Sequence, residues 1–232
     1  ERSLWPEKWS YEYLVSIRHT RSYAKNMDNK PVAVDGAYWS EDDLYDAGEL
    51  VTTRRLLSLD PATTTKQTSD YTGAAVIGLV PPTYLTDEQG RQRLAAPARA
   101  VVEQTWRLRL VGEDLRRWVL TQLAADPAIR VVLVETNQGG EHWHTILHDL
   151  PARLVCEHAT DPKDVRAGQL LSATQRRRGL LRGRQKAFRD EALAYPNVAH
   201  DDVVDAVGAG VRRILSTKRQ KDASASTMAY AG

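Results

Sequence analysis

Two runs of apolar residues separated by a polar stretch form the clearest pattern in the chain. The first run, residues 56–59, ends at Asp60, and the second, residues 74–80, is made of small and aliphatic residues. Such a pair is typical of a β-hairpin. We therefore expect the first strand to bring Asp60 to one edge of a sheet, where a carboxylate is rarely buried unless it is paired or binds a metal.

The residues that follow predict an α/β order of elements. A polar stretch at 81–96 leads to a third strand at 98–110, and an amphipathic helix runs from Gly112 to near Pro127. Residues 130–135 form another apolar run that closes on an acid. The second half predicts a helix at 141–150, a short strand at 153–157, a helix at 161–178 started by Asp161 and Pro162, a turn or small hairpin at 179–183, and helices at 185–194 and 200–215.

The pattern divides the chain into three parts. In residues 1–50, apolar residues at helical spacing follow Pro6, and a later acidic and aromatic stretch predicts a packed linker. Residues 51–215 hold the predicted strands and helices of the sheet domain. Residues 216–232 lack periodicity, so we expect a flexible tail. The chain begins at Glu1 without a Met, which indicates a fragment of a longer protein.

Composition narrows the class of protein. The chain has 232 residues, of which 42% are apolar and 27% charged, as in ordinary globular proteins. Its longest apolar runs are far shorter than the ~20 residues that a membrane-spanning helix needs, and no signal-peptide pattern opens it. Cys156 is the single cysteine, which excludes an internal disulfide and fits a reducing compartment. We therefore expect a protein that is neither secreted nor bound to a membrane.

The charge of the chain is unevenly distributed, although its net value is only +2. The segment 176–189 carries seven basic residues and no acid. These are Arg176, Arg177, Arg178, Arg182, Arg184, Lys186 and Arg189. We expect this basic run to bind a polyanion, such as the backbone of a nucleic acid, on a hairpin that protrudes between Gly179 and Gly183. The alternatives are a solvated helix surface or a patch that docks another protein.

Three acids occupy corresponding places in the predicted elements. Asp60 and Glu135 end two apolar strands, and Asp202 lies in the first turn of the last helix. Carboxylates gathered in this way bind hard divalent cations such as Mg²⁺. Two such ions ~3.5–4 Å apart can activate water and stabilise the leaving oxygen of a phosphodiester. For any one of these acids alone, a helix cap, a surface charge or a salt bridge is the alternative.

Several groups of residues resemble the C-terminal nuclease domain of the large terminase subunit of tailed bacteriophages. They are residues 58–62 with 69–73, residues 134–140, residues 163–167, and residues 195–197 with 200–206. The resemblance covers residues 54–215 and implies an α/β fold of the RNase H-like kind, with a mixed central β-sheet flanked by α-helices. It also implies a metal-dependent endonuclease that cuts concatemeric double-stranded DNA by two-metal-ion hydrolysis.

The resemblance assigns roles to individual acids. It makes Asp60, Glu135 and Asp202 the ligands of two Mg²⁺ or Mn²⁺ ions. Asp201 is a candidate for the second ion, and so is Asp70. Asp205 is either a further ligand or the partner of a nearby base, since it shares a helix face with Asp202.

The resemblance also implies partners and a location. Double-stranded DNA is the expected substrate, and the portal and the small terminase subunit are expected partners in the host cytoplasm. The packaging ATPase is expected in the same full-length protein. No GxxxxGK[ST] motif occurs in the sequence, so the motor half is expected to lie outside this chain.

Other interpretations of these residues remain open. The spacing of residues 202–206 also fits a junction resolvase or a transposase-type nuclease of the same fold, whereas residues 135–140 favour the terminase. A non-catalytic module that binds DNA or docks on the portal is a third alternative. A zinc site at His142, His144 and His148 is disfavoured because the chain has neither an HExxH motif nor clustered cysteines. His200 can orient a water or contact a phosphate, or serve an ordinary role where the last helix begins.

Overall fold

A six-stranded sheet lies at the centre of the molecule. The structure, a computed structural model, describes residues 10, 11, 14, 15, 38–62, 71–136 and 140–216, with residues 140 and 141 as backbone alone. The sheet strands are β1 (Arg54–Asp60), β2 (Thr72–Val80), β5 (Arg99–Leu108), β6 (Ile129–Thr136), β7 (Arg153–His158) and β8 (Gly179–Leu181). A separate two-stranded hairpin joins β3 (Thr83–Thr86) to β4 (Gln92–Ala96). The helices are α1 (Gly112–Ala125), α2 (Gly140–Ile146), α3 (Lys163–Gln175), α4 (Lys186–Ala194) and α5 (Asp202–Leu215), preceded by a 3₁₀ turn at Glu41–Asp43.

The order of the strands makes β1 central. The sheet runs β7-β6-β1-β2-β5-β8, and β1 pairs with β2 in antiparallel and with β6 in parallel orientation. The β2–β5 pair is antiparallel, whereas β8 and β7 extend the two edges in parallel. The predicted hairpin of β1 and β2 is therefore confirmed, as is the mixed sheet.

Helices cover both faces of this sheet because the side chains of its strands alternate. Leu57 and Leu59 pack with Leu115 and Val119 of α1 on one face. Leu56 faces the opposite side, where it joins the core formed with α3, α4 and α5. Since every second side chain of a strand points the same way, Asp60 lies on the face of Leu56, toward α3 and α5 rather than α1.

Helix α5 lies unusually close to the sheet. Its residues from Val203 to Val211 are all buried. A Cβ atom on Gly210 would lie 2.6 Å from Cγ1 of Ile77 and 3.1 Å from Cβ of Ser58. Glycine at this position therefore sets how near the helix backbone comes to β1 and β2.

The basic run contains a core strand, so the predicted hairpin at 179–183 is wrong. Residues 179–181 are buried and pair with Ala100–Val102 of β5 in parallel. Leu180 and Leu181 pack into two separate clusters of the core. A strand of three residues is too short to show the alternation by which strands are recognised in a sequence.

Smaller differences concern the ends of elements. The polar stretch at 81–96 contains the exposed hairpin of β3 and β4. These strands have no buried face, so the sequence shows no alternating apolar pattern that would predict them. Helix α2 ends at Ile146 rather than near residue 150. Helix α3 begins at Lys163 with Pro162 in the N-cap position, and Asp161 instead accepts a hydrogen bond from Nε2 of Gln169 at 3.1 Å. No helix in the described parts of the chain is long and apolar enough to span a membrane.

The described part of the predicted linker packs on the sheet domain. Trp39 is 1% exposed and contacts the rings of Phe188 and Tyr195 edge to face. Asp46 forms a parallel bridge with Leu181 at the sheet edge. Residues 38–47 are thus built into the same core as β8 and α4.

Replacing Gly210 by Ala tests the close packing of α5. We expect the new methyl group to cost about 1–3 kcal/mol in the free energy of unfolding, because it overlaps Ile77 and crowds Ser58 on the facing strands. Gly168→Ala on α3 is the matched control, since its Cβ would meet nothing within 4 Å and alanine favours a helix by up to about 1 kcal/mol. Urea unfolding of both variants measures the difference. Equal stabilities would contradict the packing described here.

Candidate metal centre

Asp60 and Glu135 lie next to each other on neighbouring strands. In the parallel β1–β6 pair, Leu59 is in register with Val134, and each acid is the next residue along its strand. Residues in register on parallel strands face the same side of a sheet, so both carboxylates face α3 and α5. Glu135 is buried and Asp60 is half-buried.

The first turn of α5 reaches the same place because β2 carries a glycine there. Gly73 is the partner of Asp60 in the antiparallel β1–β2 pair. A Cβ atom on Gly73 would overlap the backbone carbonyl of Asp202. The start of α5 is therefore packed directly against β2 beside Asp60, which is the close approach that only glycine permits.

Three cationic side chains hold the acids in this structure. Glu135 accepts hydrogen bonds from Nη1 of Arg166 and, at 3.1 Å, from Nη2 of Arg212. Oδ1 of Asp205 lies 3.5 Å from the same Arg166 nitrogen. Oδ2 of Asp205 lies 3.3 Å from Nζ of Lys163. The Arg166 guanidinium thus bridges the acid of β6 and the acid of α5.

The environment favours the neutral form of Asp60. Its pKa lies well above the ordinary value; burial is the largest cause, followed by the negative charges of Asp205 and Glu135. Asp202 adds to the effect, and Lys163 opposes it. The direction of the shift is that expected of like charges held close together, as the strand register and the packing of α5 on β2 place these acids.

The neighbouring groups respond to the same environment. Burial raises the pKa of Glu135 and of Asp205 above their ordinary values, although Arg166 opposes both shifts. Burial lowers the pKa of Lys163, but its hydrogen bond to Asp201, at 2.6 Å, and the charge of Asp205 outweigh burial and raise it overall. Asp201 is therefore the partner of a lysine here.

The donor set suits a hard divalent cation in its chemistry. Carboxylate oxygens gathered from two strands and a helix are the ligands that Mg²⁺ and Mn²⁺ prefer. In the described parts of the chain, no three acidic, histidine or cysteine side chains are arranged to hold an ion as they stand. In this structure Arg166 and Lys163 hold Glu135 and Asp205 instead. A metal would take the place of these cations.

A fully buried acid fixes the start of α5. Glu191 of α4 is 0% exposed, and its Oε2 accepts hydrogen bonds from the backbone N–H groups of Val203 at 2.8 Å and Val204 at 3.0 Å. Its Oε1 accepts from Nε and Nη2 of Arg107 at 2.9 and 2.7 Å. Burial raises the pKa of Glu191 to about 7, and these hydrogen bonds oppose the shift. The helix that carries Asp202 and Asp205 is thus capped by a side chain from another element.

The remaining predicted residues have varied positions. Asp70 and residues 137–139 lie outside the described residues. His200 is half-buried and packs edge to face on Tyr71. The three histidines considered for zinc, His142, His144 and His148, are all exposed.

The basic run lies away from the acids. Strand β8 pairs with the start of β5. Asp60 is aligned, through its partner Gly73 in β2, with Arg107 of β5, which lies about five residues or roughly 17 Å further along that strand. Several residues of the basic run are already bound within the chain. Arg182 pairs with Glu103, Lys186 with Asp190 and Arg189 with Glu41, while Arg177 stacks on Tyr45. DNA binding by this run stays a prediction.

The sequence interpretation gave no role to several residues that build the site. Lys163 and Arg166 lie in a segment that carried the resemblance, and their spacing of three places them on one face of α3. Glu191 had a signal of its own, because it occupies a helix position between the buried Phe188 and Ala192. An acid in such a position must be paired if it is buried.

Comparisons with known proteins agree with this fold. No model of a protein family matches the chain, and no curated protein matches it. Among solved structures, the large terminase of a thermophilic bacteriophage in complex with ADP is similar, with a TM-score of 0.62 and 11% identity over 90% of this chain and 53% of that one. The large terminase nuclease of thermophilic phage G20c with bound cobalt is similar with a TM-score of 0.50 and 13% identity, over 78% of this chain and 99% of that one.

The sheet order and these likenesses define the class of fold. The chain is an RNase H-like α/β domain, with a mixed sheet between two layers of helices, as the sequence implied. More narrowly, it has the fold of large-terminase nuclease domains. It spans about half the length of the ADP-bound large terminase.

Replacing Asp60 by Asn tests the electrostatics of the centre. A raised pKa in the folded state means that Asp60 stabilises the fold at low pH and that this stability is lost as pH rises through its folded-state pKa. Without divalent metal, we therefore expect Asp60→Asn to be more stable than the parent at about pH 8, by about 1.4 kcal/mol for each tenfold change in the acid constant, and equal to it near pH 4. Urea unfolding across pH measures the gap, with Asp114→Asn on the exposed face of α1 as the control. A difference in unfolding free energy between Asp60→Asn and the parent that stays constant with pH would contradict the raised pKa of Asp60.

Glu191→Gln tests the cap on α5. An amide has one acceptor oxygen, so it cannot accept from both Arg107 and the two backbone N–H groups, and one buried donor loses its partner. We expect the free energy of unfolding to fall by about 1–3 kcal/mol at about pH 5, and by less at about pH 8, because the raised pKa of Glu191 means that its ionised form costs stability there that the amide does not. Glu88→Gln, in the exposed turn between β3 and β4, is the matched control. Equal unfolding midpoints for the two variants would refute the cap.

Proposed function

We propose that the chain is the nuclease domain of a viral DNA-packaging terminase and that it cuts double-stranded DNA in a reaction that depends on Mg²⁺ or Mn²⁺. One observation carries the proposal: the strand register and the packing of α5 on β2 bring together the acids at the ends of β1 and β6 and in the first turn of α5, and Arg166 contacts both Glu135 and Asp205. The fold shared with the ADP-bound large terminase and the G20c nuclease supports it, as does the cobalt bound by the G20c nuclease.

The ligands of the proposed centre are Asp60, Glu135, Asp202 and Asp205, with Asp201 and Asp70 as further candidates. Two divalent ions bound there would activate water and stabilise the leaving oxygen of the scissile phosphodiester. No side chain needs to act as the nucleophile. Asp205 has the stronger claim within α5, because it lies beside the Arg166 guanidinium that also binds Glu135.

The cationic residues allow the acids to stay together in the folded protein until the ions are bound. Arg166 and Lys163 neutralise Glu135 and Asp205, and Arg212 adds a second charge on Glu135. Burying like charges without partners would cost several kcal/mol per charge. A cavity of about 180 Å³ beside Arg166 and Arg212 gives these side chains space to move.

We further propose that the full-length protein adds a packaging ATPase to this domain and works with a portal and a small terminase subunit in the host cytoplasm to cut concatemeric DNA. The support is the similar large terminase that was solved with ADP, of which this chain covers 53%.

Cleavage of supercoiled and linear duplex DNA tests the proposal. We expect cutting in Mn²⁺ or Mg²⁺ and none in EDTA. Asp60→Asn and Glu135→Gln should lower the rate by at least about 100-fold, since metal stabilisation of a transition state is worth several kcal/mol. Asp202→Asn and Asp205→Asn, compared in the same assay, show which acid of α5 is a ligand: the ligand loses cutting, and the other keeps part of it.

The control is Asp114→Asn, which should cut at the parental rate, and thermal melting confirms that each variant is folded. Parental cutting by Asp60→Asn would refute the metal centre. A strong preference for branched DNA would assign the chain to the resolvases instead, and duplex binding without any cutting would make it a binding module.

A further inference from the structure

The register of the sheet places the end of β5 beside the metal centre. Asp60 is paired with Gly73, and Gly73 is paired with Arg107, so these residues form one row across three strands. Arg109 follows two residues later, just beyond the last residue of β5. The side chains at this end of β5 are therefore near the acids, unlike those of the basic run.

An aromatic ring holds the Arg109 guanidinium at this edge. Nη2 of Arg109 donates a hydrogen bond to the Tyr71 hydroxyl at 2.6 Å, and its guanidinium carbon lies 4.7 Å from the centre of the Tyr71 ring. Arg107 lies over the same ring at 5.6 Å. His200, which precedes α5, packs edge to face on it at 4.9 Å. Tyr71 thus joins the end of β5 to the start of the helix that carries the acids.

No acidic residue in the described chain neutralises the charge of Arg109. Arg107 is bound to Glu191, and Arg166 and Arg212 are bound to Glu135. Arg109 is exposed and forms no salt bridge with any residue that the structure describes. A guanidinium has five N–H donors, and one bond to the Tyr71 hydroxyl leaves the others for an anion.

We propose, on the basis of the nuclease function proposed above, that Arg109 binds a phosphate of the DNA backbone on the β5 side of the metal centre. Tyr71 is its positioning residue, because stacking fixes the plane of the guanidinium and leaves its edge available for paired hydrogen bonds to phosphate oxygens. The ligand is the sugar–phosphate backbone rather than a base, since the cluster offers positive charge without a groove-reading element.

Salt-dependent binding of a fluorescein-labelled blunt duplex tests this site. Fluorescence anisotropy is measured in EDTA from about 50 to 200 mM NaCl, where each lost phosphate contact reduces the slope of log K against log salt by about 0.9. We expect Arg109→Ala to flatten the slope by about 1 and to weaken binding by about 5- to 10-fold for all duplex sequences. Tyr71→Phe keeps the ring but loses the hydroxyl bond, and should weaken binding to a smaller extent.

Two further variants separate this site from other basic surfaces. Arg54→Ala is the matched control, because Arg54 is also exposed but lies at the opposite end of β1 from Asp60; its slope should equal that of the parent. Arg176→Ala combined with Arg184→Ala removes two exposed charges of the basic run. An unchanged slope for Arg109→Ala, or an equal loss in Arg54→Ala, would overturn the proposal.

Because EDTA prevents metal-dependent cutting, this binding result does not depend on whether the chain is a nuclease. In Mn²⁺, Arg109→Ala should require about 5- to 10-fold more DNA than the parent to reach half of its own maximal cutting rate. Failure of the nuclease proposal would appear as no cutting by the parent. If only the phosphate site is wrong, the parent cuts DNA but the salt slope of Arg109→Ala equals that of the parent.

Discussion

The burial of several carboxylates at one end of the sheet is the constraint to which the rest of the site is adapted. Two like charges ~4 Å apart repel by about 4 kcal/mol even at an effective dielectric constant of about 20. Two features of the chain reduce this repulsion. Its surroundings raise the pKa of Asp60, which favours the neutral form, and Glu135 and Asp205 share Arg166. The repulsion among the acids is thereby reduced in the absence of metal, and they can remain together in a folded protein.

Holding the acids also requires that α5 be placed accurately, and this is achieved by contacts that involve no acid of the centre. Gly73 and Gly210 let the helix backbone approach β2 and β1 more closely than any other residue would. Glu191 then fixes the first turn by accepting two of its backbone N–H groups, while Arg107 balances the charge of Glu191. The orientation of Asp202 and Asp205 therefore depends on Glu191 of α4 and, through it, on Arg107 of β5, which is distant in the sequence.

The parts of the fold that the sequence predicted are those with long, regular patterns. The apolar runs of β1, β2 and β6 and the amphipathic α1 were predicted within a few residues, because many positions contribute to each period. Strand β8 was not, since three residues show no period and its flanking arginines suggested an exposed hairpin. In the site, the acids could be singled out by their places at strand ends and in a helix turn, but their cationic partners could not. Pairing of Arg166 with both Glu135 and Asp205 depends on how α3 packs across the sheet, which one-dimensional spacing does not encode.

The arginines show why a basic run in a sequence differs from a basic surface. Between residues 176 and 189, Arg182 and Arg189 are bound to acids that lie more than 75 positions earlier in the chain, so their charges are largely cancelled where they stand. Arg109 belongs to no run, yet it forms no salt bridge among the described residues and is held by Tyr71, two residues beyond the row that leads from Arg107 to Asp60. The affinity of a polyanion depends on charges left uncompensated after folding. In this fold the sheet register, rather than the local density of arginine, determines which of those charges lie next to the acids.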